Sequence, residues 1–177
     1  MFLIDEVQTG LGATGKLWAH EHFNLPHSPD LMTFAKKMQI GGYFYRAELN
    51  PEAYRIFNTW LGDPARILLL ESTLNVIKRD NLIELNRVTG EHMLAELKKL
   101  CKNYSNLIAN ARGLGTFCSF DGATSQIRDK IVSELKNSGV QCGASGDFTF
   151  RIRPSLIFTK KHADIFLNRL NDVLRSL

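Results

Sequence analysis

Two carboxylates, Asp5 and Glu6, stand directly after the short apolar run of "LIDEVQTG" at residues 3–10. An acid at the end of a strand is most often a cap at the protein surface. An acid held inside needs a cationic partner, because an unpaired buried carboxylate is costly. The segment therefore indicates either a surface strand end or an acid kept for chemistry beside a cation.

Lys36 and Lys37 follow a second apolar run, at residues 31–35, and could supply a reactive amine. A lysine in this place is usually solvated. One that is withdrawn from water loses its proton more easily and becomes a nucleophile.

Arg151 and Arg153, in "FTFRIRPSLIF" at residues 148–158, could bind an anion. On a strand both guanidinium groups would project from one face, and such a pair suits a carboxylate bound in bidentate fashion. An exposed strand face is the simpler interpretation, and the spacing alone does not decide between them.

Two other patterns fail on inspection. Residues 10–17, "GLGATGKL", nearly match a phosphate-binding loop, but Leu17 stands where magnesium requires a hydroxyl and no helical pattern follows. His20 and His22 could share a strand face, yet no third ligand stands at a usable spacing. We therefore predict no metal site and keep a nucleotide-binding loop only as a third interpretation of the chain.

The composition is that of a globular protein. The chain has 177 residues, 44% of them apolar, which is enough for one domain or one and a half. The net charge of +4 is spread without a basic block, so we expect no nucleic-acid partner. Cys101, Cys118 and Cys142 form no CxxC pair, which argues against a zinc site or a disulfide framework. No apolar run approaches the roughly 20 residues of a membrane helix, so we expect no membrane partner.

The pattern predicts alternating strands and helices in an α/β fold. Before residue 80 we predict strands over 2–7, 31–35 and 43–49, and a helix with Asp63 as N-cap and Pro64 at its first position. Its apolar residues go nearly all round, so we expect this helix to be buried between layers or subunits.

A smaller α/β domain is predicted for residues 81–177, after a domain over residues 1–80. It should contain a helix over 81–103, a strand over 113–121, a helix over 125–139, a strand over 148–158 broken at Pro154, and a helix capped by Thr159. Because Met1 leads directly into a strand that looks interior, we expect the chain to be the later part of a longer protein.

Several motifs in order resemble those of the class III pyridoxal-phosphate-dependent aminotransferases. They are "DEVQTG" at 5–10, "KLWAHEHF" at 16–23, "TFAKKMQIGG" at 33–42, "RIFNTWLGDP" at 55–64 and "FRIRPSLIF" at 150–158. The likeness extends over essentially the whole chain and is greatest to the branch of the family that acts on 4-aminobutyrate.

This resemblance implies a fold and an activity. Residues 1–80 would be the last part of a fold-type I large domain that binds pyridoxal 5'-phosphate, followed by the small C-terminal domain. The enzyme would move an amino group from an ω-amino acid to 2-oxoglutarate, as a homodimer in the mitochondrial matrix.

The resemblance also gives Asp5 and Lys36 their roles. Asp5 would lie under the pyridine nitrogen of the cofactor and keep it protonated. Lys36 would bond the cofactor aldehyde and carry a proton between carbons, although spacing alone does not exclude Lys37. The segment between Asp5 and Lys36 is long enough for a strand, a crossover and a return strand that bring both to one crevice.

Four further residues match cofactor or substrate contacts of the family. Val7 would pack on the ring face, Gln8 would bond the ring oxygen, and Thr59 would reach the phosphate bound to the neighbouring subunit. Arg151 would contact the substrate, with Arg153 as the fallback.

Other family groups cannot be located in this chain. They are the phosphate-binding loop, the stacking aromatic ring, the arginine for the amine substrate's carboxylate, the acid that partners Arg151 and any iron–sulfur ligands. We therefore expect negligible activity from the chain alone. As the alternative, a non-catalytic fragment could pair with a full-length subunit through the helix at residues 68–77.

Overall fold

The computed structural model describes residues 1–177 and divides into two compact units. The first unit comprises Met1–Gly12 and Lys16–Leu82, and the second comprises Ala13–Gly15 and Ile83–Leu177. Both contain strands and helices, so the α/β prediction is confirmed. None of the helices combines the length and the apolar character that crossing a membrane requires.

The first unit contains a three-stranded sheet in the order β1-β2-β3. Strand β1 (Leu3–Asp5) runs parallel to β2 (Leu31–Phe34), and β3 (Gly42–Tyr45) runs antiparallel to β2. The register places Asp5 beside Thr33. The parallel return strand that the spacing predicted is therefore present. The crossover between β1 and β2 contains only a 3-10 helix, at Ala19–His22.

Strand β1 is shorter than the strand predicted over residues 2–7. After Asp5 the chain turns, and the Gly10 N–H donates to the Glu6 carbonyl at 2.9 Å. This turn ends the strand, because residues that close a loop on themselves cannot extend the ladder to β2. The side chains of Val7 and Gln8 are consequently set by a turn and not by strand alternation.

Helix α1 (Pro64–Arg79) begins as predicted, with the Asp63 carboxylate accepting a hydrogen bond from the Ala65 N–H at 3.0 Å. The expected burial of this helix between layers is not found within the chain, where Ile77 is its only buried residue. Its exposed apolar side chains are Ile67, Leu68, Leu69 and Leu74.

The second unit packs helices on a four-stranded antiparallel sheet with the order β4-β5-β7-β6. Its elements are α2 (Leu82–Asn103), β4 (Ile108–Leu114), β5 (Phe117–Gly122), α3 (Ser125–Asn137), β6 (Gly143–Ser145), β7 (Thr149–Ile152) and α4 (Lys160–Ser176). Phe120, Phe150 and Phe166 stack in a core to which α2, α3 and α4 all contribute.

The prediction of a single strand over residues 113–121 is wrong. Strand β4 ends at Leu114, Gly115 adopts a left-handed φ of 53°, and β5 starts at Phe117. Glycine permits this turn at little steric cost. The apolar run is therefore a hairpin.

Gly90 of α2 is packed so closely on the hairpin that it tolerates no side chain. A Cβ atom at Gly90 would lie 1.8 Å from the Gly115 carbonyl oxygen. Although alanine is normally the better helix former, we expect Gly90→Ala to lower the free energy of unfolding by about 3 kcal/mol.

Urea unfolding followed by circular dichroism checks this prediction against a matched glycine. Gly143→Ala is the control, since a Cβ there would meet nothing within 4 Å, and its effect should stay below about 0.5 kcal/mol. Equal stability of the Gly90→Ala variant and the wild type would contradict the packing described here.

Candidate active site

The candidate site lies where β1 and β2 end at the same edge of the first sheet. Asp5 is the last residue of β1, and its Oδ1 accepts hydrogen bonds from the Val7 N–H and the Thr33 hydroxyl, both at 2.9 Å. Neither of these hydrogen bonds involves its Oδ2. One oxygen thus fixes the carboxylate, and the other remains available to a partner.

Asp5 is exposed in this chain and favours its charged form. The backbone N–H of Val7 and the hydroxyl of Thr33 hold the pKa of the Asp5 carboxyl below its ordinary value. The positive charge of Lys36 lowers this pKa further. Lys36 is therefore close enough to Asp5 to act on it electrostatically.

Both lysines of the predicted pair reach the same residue, Gln8. The Lys36 Nζ donates to the Gln8 side-chain Oε1 at 2.6 Å, and the Lys37 Nζ donates to the Gln8 main-chain oxygen at 2.7 Å. Lys36 is exposed, whereas Lys37 is half-buried. The structure thus distinguishes two lysines that spacing could not, since only Lys36 presents its amine to a side chain at the open edge.

Burial lowers the pKa of the Lys37 ammonium, and the neighbouring charge of Lys36 lowers it further. The negative charge of Glu6 acts in the opposite direction. Lys37 is therefore influenced by both a like charge and an opposite charge.

Glu6 is the functional candidate that the sequence reasoning missed. Its side chain is 1% exposed, so Glu6 is the buried acid of the pair, and Asp5 is the exposed one. Glu6 Oε1 accepts from the His20 N–H at 2.8 Å and lies 3.0 Å from His20 Nδ1, while Oε2 accepts from the Thr9 hydroxyl. The only signal in the sequence was the adjacency of two acids, which does not tell which one points inward.

Hydrogen bonds keep Glu6 charged despite its burial. Burial alone would raise the pKa of this carboxyl, but donation from the Thr9 hydroxyl and from the N–H groups of His20 and Ala19 outweighs it. The pKa of Glu6 consequently lies below its ordinary value of 4.5.

Two other predicted cofactor contacts have different surroundings. Val7 is half-buried in the turn after β1, next to Asp5. Thr59 lies in an exposed turn before α1. Within this chain the structure thus brings together Asp5, Val7, Gln8 and Lys36, and it does not show Thr59 in contact with them.

Arg151 belongs to the second unit, where it lies on β7 between its register partners Ser119 and Gly143. Its neighbours Phe150 and Ile152 are buried in the core, so Arg151 projects from the opposite face. Arg153 lies just after the end of this strand, so only Arg151 of the two arginines is a strand residue. Both line a cavity of about 360 Å³ that also includes Cys142.

The loop that nearly matches a phosphate-binding motif is closed on itself. The N–H groups of Leu11 and Gly12 both donate to the Leu17 carbonyl, at 2.7 and 3.3 Å, and residues 10–15 are buried. The next element is a 3-10 helix of four residues, Ala19–His22, so no α-helix begins at this loop.

Comparison with known proteins decides the family. The sequence profile of aminotransferase class-III matches residues 1–174. The chain belongs to the class-III aminotransferase family. The resemblance inferred from the motifs is confirmed, and the strand tip with Asp5 and Lys36 lies within the matched region.

Named relatives are similar over almost the entire chain. Mitochondrial 4-aminobutyrate aminotransferase of Sus scrofa is 50% identical over 174 residues, covering 98% of this chain and 35% of the relative. The Homo sapiens enzyme of the same name is 49% identical, with the same two coverages. The chain thus spans about a third of the length of these class-III relatives.

Solved structures show the same fold. Lysine aminotransferase from M. tuberculosis has a TM-score of 0.92 and 27% identity, covering 98% of this chain and 41% of that one. Ornithine aminotransferase from Plasmodium yoelii has a TM-score of 0.90 and 27% identity, covering 99% and 48%. The predicted fold class is confirmed: the chain has the fold of a part of an aminotransferase.

The Glu6 network predicts a pH-dependent contribution to stability. We expect Glu6→Gln to lower the free energy of unfolding near neutral pH by about 2 kcal/mol, because an amide NH₂ would face groups that donate. Since the folded pKa of Glu6 is below 4.5, its stabilisation is present above that pH and lost as the pH falls through the folded pKa. The difference between variant and wild type should therefore shrink under acid conditions.

Urea unfolding at a series of pH values from about 7 to about 3 measures this difference. Glu71→Gln, on the exposed side of α1, is the control and should stay within about 0.5 kcal/mol of wild type throughout. A constant offset between Glu6→Gln and wild type at all pH values would contradict a charged, stabilising Glu6.

Proposed function

We propose that the chain is the C-terminal portion of a pyridoxal-phosphate-dependent transaminase. The enzyme moves the amino group of 4-aminobutyrate, or of a similar ω-amino acid, to 2-oxoglutarate and gives succinate semialdehyde and glutamate. The observation that carries the proposal is the meeting of Asp5, Gln8 and Lys36 at one sheet edge. The names of the 4-aminobutyrate aminotransferases that it resembles support the choice of substrate.

The domain assignment follows from the same likeness. Residues 1–80 form the last part of the large cofactor-binding domain, and residues 81–177 form the small C-terminal domain. The separate core of the second unit supports this assignment, because a domain has its own hydrophobic core.

The residues at the strand tip fit pyridoxal 5'-phosphate. When bound, this group supplies an aldehyde that amines bond and a protonated ring that accepts an electron pair. Asp5 offers one anchored and one available carboxylate oxygen, and its lowered pKa keeps it charged. A carboxylate in this state suits an ion pair with a ring N–H, which would hold the proton on the nitrogen.

Lys36 takes the role of the amine that bonds the aldehyde. Its Nζ is exposed at the edge where Asp5 lies, and Gln8 Oε1 orients it at 2.6 Å. The same amine, once released, is placed to carry a proton to and from the substrate carbon. Lys37 is less suited, because its Nζ is committed to the main chain of Gln8.

The remaining assignments rest on the family likeness together with position. Val7 packs on the ring face beside Asp5, and Gln8 bonds the ring oxygen. Thr59 reaches the phosphate bound in the neighbouring subunit, in keeping with its exposed turn. Arg151 binds the carboxylate of the substrate through the cavity that it lines.

The proposed partners are the amine and the 2-oxoacid, together with a second subunit. The exposed apolar side chains of α1, Ile67, Leu68 and Leu69 among them, support a homodimer or pairing with a full-length subunit. The mitochondrial matrix is the proposed location, since both named relatives are described as mitochondrial.

The exposed face of α1 also supports a second candidate function. A chain with this face and without the other family groups could act as a non-catalytic module that pairs with a full-length subunit. The two proposals differ in whether Lys36 bonds the cofactor.

Covalent trapping tests the leading proposal. We expect pyridoxal phosphate followed by sodium borohydride to leave a stable adduct on Lys36, located by peptide mapping, because its amine is close enough to Asp5 for their charges to interact. Lys36→Ala should remove this adduct, whereas Lys99→Ala, a change at an exposed lysine of α2, should leave it unchanged.

The alternative outcomes separate the two functions. An adduct on Lys37, or one spread evenly over exposed lysines, would contradict the role given to Lys36. Absence of an adduct, together with exchange of the chain into dimers of a full-length relative, would favour the interaction module.

We further propose that the chain alone has negligible transaminase activity. The family's phosphate-binding loop and stacking ring are not found in it, and a site without its supporting residues is poorly held. Glutamate formation from 4-aminobutyrate and 2-oxoglutarate, with added pyridoxal phosphate, should equal that of the Lys36→Ala variant. Steady turnover above this control would refute the expectation.

A further inference from the structure

Lys37 is a half-buried lysine to which the proposed mechanism gives no role. Neighbouring side chains on an extended strand point to opposite faces, but Lys36 has a left-handed φ of 53°. Both amines consequently reach Gln8, Lys36 at the side-chain oxygen and Lys37 at the main-chain oxygen. A residue other than glycine is strained at this φ, so surrounding contacts must maintain the conformation of Lys36.

The turn that carries Gln8 is fixed on its inner side by Glu6. The Glu6 carbonyl closes the turn by accepting from the Gly10 N–H at 2.9 Å, and its buried carboxylate holds the Thr9 hydroxyl and His20. The other fixed point at Gln8 is the bond from Lys37 to its carbonyl, at 2.7 Å. The Lys37 bond therefore links the Gln8 main chain to a residue that is distant from it in sequence.

We infer that Lys37 is a positioning residue for Lys36. By fixing the Gln8 carbonyl, Lys37 sets the direction of the Gln8 side chain, whose oxygen keeps the Lys36 amine beside Asp5. This inference rests on the proposed function, in which Lys36 is the lysine that bonds pyridoxal phosphate.

The charges around Lys37 agree with a fixed donor. Its ammonium faces the Gln8 carbonyl and the field of Glu6, with Lys36 as the adjacent like charge and Asp5 beyond it. Burial of a lysine is unfavourable unless its charge is compensated, and here the Gln8 carbonyl and the negative charge of Glu6 offset part of that cost. An arginine could make the same bond, whereas methionine fills similar space without a charge or a donor.

Site-selective trapping in Lys37 variants tests the inference. The readout is the amount of borohydride-fixed pyridoxal phosphate on Lys36 divided by that on the exposed Lys160 of the same molecule. Lys37→Met should lower this ratio about tenfold, the effect of losing one charged hydrogen bond. Lys37→Arg should restore it to within about twofold, and Lys99→Met should leave it unchanged.

A second readout does not depend on the cofactor. Trace acetylation with acetic anhydride reports how freely each amine reacts in the unloaded chain. In Lys37→Met the reactivity of Lys36 should rise towards that of Lys160, because the bond to Gln8 no longer restrains the Lys36 amine. In Lys37→Arg the reactivity should stay at the wild-type level.

The outcomes distinguish this inference from the proposed function. If the Lys37→Met variant has the same trapping ratio and the same Lys36 acetylation as wild type, the inference is overturned and the proposed function stands. A loss that Lys37→Arg does not restore, accompanied by a lower melting temperature, would make Lys37 a purely structural residue and would also overturn it. Failure of wild type to trap pyridoxal phosphate on Lys36 would refute the proposed function, and the acetylation result would then decide on positioning alone.

Discussion

The parallel pairing of β1 with β2 is the constraint on which the candidate site depends. Its register sets Asp5 beside Thr33, whose hydroxyl fixes the Asp5 carboxylate. A shift by one residue would turn each side chain of β1 to the other face of the sheet. The site therefore depends on a few main-chain hydrogen bonds as much as on the chemical groups themselves.

The same geometry gives two adjacent acids opposite environments. Asp5 remains at the open edge, where an added partner can reach it, whereas Glu6 points inward and receives donors from Thr9 and His20. Both carboxyl groups have a lowered pKa, although one is exposed and the other is buried. The exposed charge of Asp5 is accessible from solvent, and the buried charge of Glu6 accepts hydrogen bonds from Thr9 and His20 beside the turn that carries Gln8.

The two units differ in how completely they bury their apolar side chains. In the second unit a continuous core joins the sheet to α2, α3 and α4. The first unit leaves large side chains such as Tyr54, Phe57 and Trp60 exposed, at 97%, 83% and 71%. Exposed patches of this kind mark surfaces that other protein segments cover, and the chain spans about a third of the length of its named relatives.

Sequence patterns predicted much of the fold because local signals determine those parts. Asp63 and Pro64 start α1, Thr159 precedes α4, and apolar spacing defines α3. The hairpin at Gly115 was missed, since an apolar run does not reveal where glycine reverses the chain. The inward turn of Glu6 was missed for a related reason: it depends on contacts with His20, which is distant in sequence.

The most direct test of the central claim is the position of pyridoxal phosphate in a crystal structure of a complex with this chain. The account predicts the ring nitrogen within hydrogen-bonding distance of the Asp5 carboxylate and the aldehyde carbon bonded to Lys36 Nζ. A ring bonded to Lys37, or one bound away from Asp5, would contradict it.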